Sequence, residues 1–171
     1  MRASASPNRS HGASINPRSG AYEADLSGDH DRLAGGRGHV TAAVETEDRA
    51  AVMDSLILCK FLRGVFSEPF DEWATLLSAV TGWDTSGAEL RQTARRIVLA
   101  KRVFNLREGW RPQDDWLPER LLSEPLPVAS GRVATLTPER LRDMIDGYYA
   151  ARGLDSEGRP DQASLADLRL A

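Results

Sequence analysis

The sequence has a single cysteine, no long apolar run and no excess of basic residues. One cysteine, Cys59, excludes an internal disulfide and favours a reducing compartment. The longest apolar run, around Leu56 to Leu58, is interrupted at Lys60, far short of the roughly 18 residues that a membrane span needs. The 22 basic and 25 acidic residues are mixed along the chain, which excludes an extended basic patch for phosphate backbones. We therefore expect a cytoplasmic protein with neither nucleic acid nor a membrane as a partner.

The composition changes near Val44. Before it, Arg, Ser, Ala and Gly dominate, and all three histidines fall in the first 39 residues. Such a stretch buries too little apolar surface to offset the entropy of ordering it. We therefore predict a disordered, low-complexity segment over residues 1–44 and a folded domain over residues 45–171.

Start and stop signals for helices recur after this boundary. Thr46 is a candidate N-cap, Ser86 and Glu89 form a capping box, and Thr137 precedes a proline at the first helical position. Apolar residues at three- and four-residue steps follow each signal. On the helix that starts at Ser86, the face predicted to be buried carries Leu90, Thr93, Ile97, Ala100 and Phe104. The predicted helices cover residues 46 to about 63, 67 to 81, 86 to 109 and 137 to 153, with a short last helix around Leu165.

Prolines at positions 112, 118, 125 and 127 exclude a regular helix between residues 110 and 137. This part should run as an extended connector, with at most a short strand near residues 132–136. The predicted fold is thus mainly α: an irregular domain of four or five helices with a proline-rich connector and a disordered amino-terminal segment.

Two residues of the first predicted helix are candidates for chemistry. Cys59 falls on its apolar stripe, where most lone cysteines are simply small buried hydrophobes. Asp54 has apolar neighbours in sequence, and the ordinary interpretation is a residue on the exposed flank of the helix. Neither residue alone indicates a function.

A resemblance to a known family begins at these residues. Residues 54–59, Asp-Ser-Leu-Ile-Leu-Cys, resemble the Asp-x-x-Gly-Leu-Cys motif of the aldehyde:ferredoxin oxidoreductases, tungsten- or molybdenum-pterin enzymes. Further matches to the carboxy-terminal domain of that family follow in the same order: Thr-Gly at 81–82, Phe-Asn-x-Arg-Glu-Gly at 104–109, Asp-Asp-x-Leu-Pro-x-Arg at 114–120, Tyr-Tyr-x-x-Arg-Gly at 148–153 and Leu-x-x-Leu at 165–168.

The resemblance implies roles for the first motif. Cys59 corresponds to one of four thiolate ligands of a 4Fe-4S cluster, and Asp54 and Leu58 correspond to residues at the pterin of a tungsten or molybdenum bis-pterin cofactor. The chain departs from the motif at Ile57, where the family has glycine, and a β-branched side chain there would obstruct a close approach of the backbone to the cofactor. The other motifs are interpreted as scaffold, with Asp114 and Asp115 paired to nearby arginines such as Arg111 or Arg120.

In the family the other three cluster cysteines and the tungstopterin-binding domain lie in earlier parts of the chain, and this sequence has no counterpart of them. We therefore expect a carboxy-terminal fragment or subunit that needs a partner chain carrying those parts. Together they would oxidise an aldehyde and pass the electrons to ferredoxin, whereas the isolated chain would be inactive. The alternative is a helical binding or scaffold module that has lost redox function. A stand-alone helical enzyme is not supported, because the predicted folded region offers no catalytic nucleophile paired with a general base.

Overall fold

The computed structural model describes residues 37–62, 64–127 and 133–167, which form a mainly helical fold, as predicted. Single 3-10 turns occur at Lys60–Leu62 and Pro112–Asp115. The helices and strands are α1 (Arg37–Ser55), α2 (Pro69–Thr81), α3 (Gly87–Arg107), α4 (Arg120–Ser123), β1 (Leu126–Pro127), β2 (Val133–Ala134), α5 (Pro138–Arg152) and α6 (Gln162–Asp167). Residues 1–36 of the predicted disordered segment lie outside the described residues.

Helix α1 differs from its prediction at both ends. It begins at Arg37, so Thr46, the predicted N-cap, is a buried residue inside it, and the predicted boundary near Val44 also falls within it. It ends at Ser55 and not near residue 63. The early start depends on tertiary contacts, because Ala43 is buried in a cluster with side chains of α5. Local start signals do not record such contacts.

Helices α2 and α3 follow the predicted signals closely. Gly82 ends α2 in a left-handed conformation, with φ of 74°, and its N–H donates to the Ser78 carbonyl at 2.8 Å. Ser86 caps α3 and forms the predicted capping box with Glu89.

The buried face of α3 is rotated from the prediction. Leu90 is buried as expected, but Thr93 is exposed and Phe104 is 55% exposed. The residues that α3 buries instead include Ala94, Val98, Leu99 and Arg102. The small Ala94 has no exposed surface, so its Cβ permits close packing against the neighbouring helices.

The connector between α3 and α5 contains more local structure than predicted, although none of it is long. It holds a 3-10 turn, the four-residue helix α4 and two antiparallel strands in which Leu126 pairs with Ala134 and Pro127 with Val133. The expected short strand is present at β2. Thr137 caps α5 through its side chain, and Gly153 ends that helix at φ of 69°, both as predicted.

Two hydrophobic clusters meet on α1. One joins the carboxy-terminal part of α1 to α2 and α3, and includes Met53, Trp73 and Leu90. The other joins the amino-terminal part of α1 to α5, and includes Ala43 and Ile145. Because α1 takes part in both, it is the central helix of the domain and fixes the position of the loop that follows it. Within the described ranges no helix is both long and apolar enough to cross a membrane.

Candidate functional site

The segment that carries the candidate residues is a tight turn at the end of α1. The Leu58 N–H donates to the Met53 carbonyl at 2.9 Å, and the Ile57 N–H donates to the Asp54 carbonyl at 3.3 Å. These two bonds are the pattern of the Schellman motif, which stops a helix by satisfying its last carbonyls. The half-buried Leu58 side chain packs against the cluster that contains Met53, and such an apolar contact frequently accompanies this motif. The turn therefore directs the chain away from the helix axis immediately after Leu58.

Ile57 is the residue that this turn places in a left-handed conformation. Its φ is 58°, and it is the one non-glycine residue with positive φ in the part of the chain that the structure describes. Such a backbone suits glycine and costs an L-residue roughly 1–2 kcal/mol. The glycine of the motif that residues 54–59 resemble falls at this position, so the turn explains why the motif contains one. The isoleucine side chain is 91% exposed and makes no contribution to the core.

Cys59 lies beyond the helix, and the prediction that it belongs to the apolar stripe of α1 is wrong. The turn at Ile57 ends the helical periodicity, so Cys59 is exposed between α1 and the 3-10 turn at Lys60–Leu62. Its carbonyl accepts a hydrogen bond from the Leu62 N–H at 2.9 Å, which fixes the backbone on its carboxy-terminal side. Leu58 anchors the backbone on the other side. The thiol is thus held on an ordered, accessible stretch of backbone.

Asp54 stands in the last turn of α1, on the same loop. Its carboxylate pairs with the Lys60 ammonium at 2.7 Å, and 62% of its side chain is exposed. The apolar surrounding that the sequence suggested is absent, because the neighbouring Met53 points into the core and Asp54 points away from it. Asp54 therefore remains an accessible acceptor whose present partner is itself on the surface.

Two of the later motifs, at 114–120 and 148–153, each contribute a residue to a buried polar cluster around Arg102. The Arg102 guanidinium donates to Asp115 at 2.9 Å, to the Tyr149 hydroxyl at 3.1 Å and to the Gly158 carbonyl at 2.8 Å, and the Tyr149 hydroxyl donates to Asp115. Burial, the hydrogen bond to Asp115 and the charge of Asp115 raise the pKa of Tyr149 well above its ordinary value, so it stays a neutral donor. A Cβ at Gly158 would lie 1.8 Å from Arg102, so only glycine fits there. This cluster ties α3, the connector, α5 and the turn after it together.

A second buried cluster ties α5 to α1. Arg152 is 1% exposed, and its guanidinium contacts Asp48 and Glu47, each at 2.7 Å, and the Val44 carbonyl at 3.1 Å. Burial raises the pKa of Asp48 above its ordinary value, although the charges of Arg152, Arg95 and Arg91 lower it. The cluster fixes α1 about two to three turns before the loop that carries Cys59. Arg152 and its acidic partners therefore position the candidate site without belonging to it.

These contacts agree with the interpretation of the later motifs as scaffold, but they correct the predicted pairs. Asp115 pairs with Arg102, whereas Asp114 accepts from the backbone N–H of Arg111, and Arg120 pairs with Glu124. Lys60 was not predicted as a partner of Asp54. Lys60 follows Asp54 by six residues in the sequence. This spacing predicts an ion pair only when the turn between the two residues is known.

Metal ligands are sparse around the candidate site. Across the described ranges, no three His, Cys, Asp or Glu side chains come together in a way that could hold a metal ion. The donors on the loop are one exposed thiol, Cys59, and one exposed carboxylate, Asp54. The loop can therefore supply a single thiolate ligand and a hydrogen-bond acceptor to a group whose remaining ligands come from elsewhere.

Comparisons with known proteins agree on one family. The family model described as aldehyde ferredoxin oxidoreductase, domains 2 and 3, matches residues 7–170. The tungsten-containing aldehyde ferredoxin oxidoreductases of Pyrococcus furiosus and Thermococcus kodakarensis are 36% and 33% identical to this chain over 126 residues. Each match covers 73% of this chain and 20% of the relative, so the chain spans about a fifth of the length of these relatives.

A solved structure shares the fold. It is the active site complex BamBC of benzoyl coenzyme A reductase in complex with 1,5-dienoyl-CoA, with a TM-score of 0.63 and 22% sequence identity. The similarity covers 77% of this chain and 19% of that chain. The same helical arrangement thus forms part of a much longer polypeptide there as well.

Proposed function

Because the chain belongs to the aldehyde ferredoxin oxidoreductase family, we propose that it is the carboxy-terminal fragment or subunit of such an enzyme. In this proposal Cys59 supplies one thiolate to a 4Fe-4S cluster, and Asp54 and Leu58 form part of the site for a tungsten or molybdenum bis-pterin. When bound, these groups supply the oxidation of an aldehyde and water to a carboxylic acid, with two electrons delivered through the cluster to ferredoxin. The residues of this chain would bind and orient the cluster and the pterin cofactor.

The placement of Cys59 is the observation that carries the proposal. A cluster ligand must present its sulfur outward, be free to lose its proton and sit on backbone that does not move. Cys59 is exposed, and the packed Leu58 and the hydrogen bond from Leu62 hold the backbone on its two sides. A cysteine kept only for packing would be buried.

Asp54 and Leu58 fit the proposal in different ways. The exposed Asp54 carboxylate can accept paired hydrogen bonds from the ring and amino N–H groups of a pterin, provided that Lys60 gives up or shares its contact at 2.7 Å. The Leu58 side chain packs on the core, so Leu58 would meet the cofactor through its backbone.

One thiolate does not hold a cluster, and this chain has one cysteine. The proposal therefore requires a tungstopterin domain and three further cysteines, supplied by a partner chain or by a further part of the polypeptide, and ferredoxin as the electron acceptor. That the relatives are about five times as long as the matching region supports a larger assembly. A reducing compartment, such as the cytoplasm, suits an exposed thiolate ligand.

Ile57 favours a second candidate, a helical scaffold module without redox function. Its side chain projects from the turn with 91% of its surface exposed, between the two residues that would meet the cofactor and the cluster. A backbone that no longer needs to approach a cofactor closely would tolerate this side chain. Under this alternative Cys59 is accessible but binds no iron.

A chimera tests the proposal. The 126 matching residues of the Pyrococcus furiosus enzyme would be replaced by those of this chain, and the purified chimera measured for iron, tungsten and aldehyde-dependent reduction of viologen. We expect both metals to be retained, and the Cys59→Ser variant to lose iron and viologen reduction. Ser67→Ala, an exposed residue outside the loop, is the matched control and should change neither.

The two candidate functions predict different results for Ile57. If the chimera lacks iron but the Ile57→Gly variant recovers it, the scaffold is intact and the natural chain has lost the site. If iron is present and does not depend on Cys59, the ligand assignment is wrong.

A further inference from the structure

A cavity of about 470 Å³ lies between α1, α2 and the first half of α3, apart from the loop that carries Cys59. It is large enough for a small molecule, for which binding cavities commonly measure about 300–1,000 Å³. Its lining is mainly charged: Glu45, Asp48, Arg49, Phe70, Arg91, Gln92 and Arg95.

Positive charge in this cavity exceeds negative charge. Arg49, Arg91 and Arg95 line it, and within residues 37–62, 64–127 and 133–167 no ion pair joins any of them to a carboxylate. Of the two acids, Asp48 is already bound to the buried Arg152 at 2.7 Å. Because Arg152 also pairs with Glu47, it compensates the charge of Asp48 only in part. Three guanidinium groups therefore face two acids, Glu45 and Asp48, of which Asp48 also has a cationic partner.

The arginines are placed to act together. Arg91 and Arg95 stand four residues apart on α3, so their side chains leave the same face of the helix. The Arg91 guanidinium lies 4.2 Å from the centre of the Phe70 ring, a contact that restricts its orientation. The charges of Arg95 and Arg91 both act on Asp48, another residue of the lining, and oppose the rise in its pKa that burial causes.

We propose that this cavity binds a small phosphate-bearing ligand through Arg91, Arg95 and Arg49. Guanidinium groups bind phosphate oxygens through paired N–H donors, and three of them offer more such donors than the two oxygens of a single carboxylate can accept. The volume exceeds that of one inorganic phosphate, so a diphosphate or a phosphate ester fits better. This inference goes beyond the proposed redox role and uses none of its residues.

Calorimetric titration of the purified full-length chain with pyrophosphate at low salt tests the inference, with acetate at the same ionic strength as the comparison. We expect saturable binding of one pyrophosphate per chain and none of acetate. Arg95→Gln should weaken the binding about tenfold, since it removes a pair of charged hydrogen bonds. Arg96→Gln, an exposed neighbour on α3 that does not line the cavity, should leave the affinity within about twofold of the natural chain.

Arg95 is the informative position because it stacks on no aromatic ring in the described part of the chain, whereas replacing Arg91 also removes its contact with Phe70. Helix content measured by circular dichroism checks that each variant is folded. Absence of saturable binding, or an equal loss of affinity in the Arg95→Gln and Arg96→Gln variants, overturns the inference. Either result leaves the cluster proposal untouched, because that proposal is tested by iron content.

Discussion

Replacing Ile57 with glycine should stabilise the protein, although it removes a large apolar side chain. The side chain is 91% exposed, so its loss costs almost no buried surface. The backbone at this position, with φ of 58°, is one that glycine adopts without strain. The turn itself, with the hydrogen bonds from Ile57 and Leu58 to the end of α1, should be unchanged.

Two opposing effects set the size of the change. Relief of the left-handed conformation contributes roughly 1–2 kcal/mol. The greater freedom of glycine in the unfolded chain takes back roughly 0.5–1 kcal/mol. The difference lies between about 0 and 1.5 kcal/mol, so we expect the Ile57→Gly variant to gain about 0.7 kcal/mol in free energy of unfolding.

Urea unfolding of the full-length chain measures the gain as a higher midpoint with an unchanged slope. Val65→Gly is the matched control, because Val65 is also β-branched and 67% exposed but is not in a left-handed conformation. It should lose about 0.5–1 kcal/mol. If Ile57→Gly were destabilised as much as Val65→Gly, the conformation assigned to Ile57, and with it the explanation of the glycine in the motif, would be wrong.

Three further predictions concern the scaffold. Arg152→Leu should lose up to about 3–5 kcal/mol in urea unfolding, since it leaves two partly buried carboxylates without their cation. A loss under about 1 kcal/mol would contradict the role given to this cluster. Tyr149→Phe should lose about 1–3 kcal/mol, because Asp115 loses a buried donor, and an unchanged midpoint would mean that this bond is unimportant. Hydrogen bonds from Ser86 lower the pKa of Glu89 below its ordinary 4.5, so the stability they add is present above that pH and lost as the pH falls through the folded pKa. The difference in urea midpoint between the natural chain and Glu89→Gln should therefore shrink on acidification to about pH 3, and a constant difference would exclude a role for the charge.

Capping residues in the sequence were enough to predict where α3 and α5 begin. Ser86 with Glu89, and Thr137 before Pro138, mark the starts of α3 and α5 because the capping contacts join residues three apart. The first helix was misplaced because its early turns are stabilised by contacts between residues such as Ala43 and α5, far along the chain. A single sequence does not reveal those contacts.

The sequence indicated which residues belong to the candidate site but not how the chain arranges them. Helical spacing placed Cys59 on a buried stripe, since periodicity assumes that the helix continues. A glycine at position 57, as in the related motif, would have indicated that the helix ends in a left-handed turn. This chain has isoleucine there, so its own sequence did not indicate the turn. The partners of Arg102, at positions 115, 149 and 158, are likewise distant in sequence, so composition and spacing could not pair them.

The measurement that most directly tests the account is the iron content of the chimera with and without Cys59. We predict that Cys59→Ser lowers the iron bound per chain and abolishes aldehyde-dependent viologen reduction, while Ser67→Ala changes neither. The same iron content in the Cys59→Ser variant and in the unmodified chimera would contradict the account, because Cys59 would then not be a ligand of the cluster.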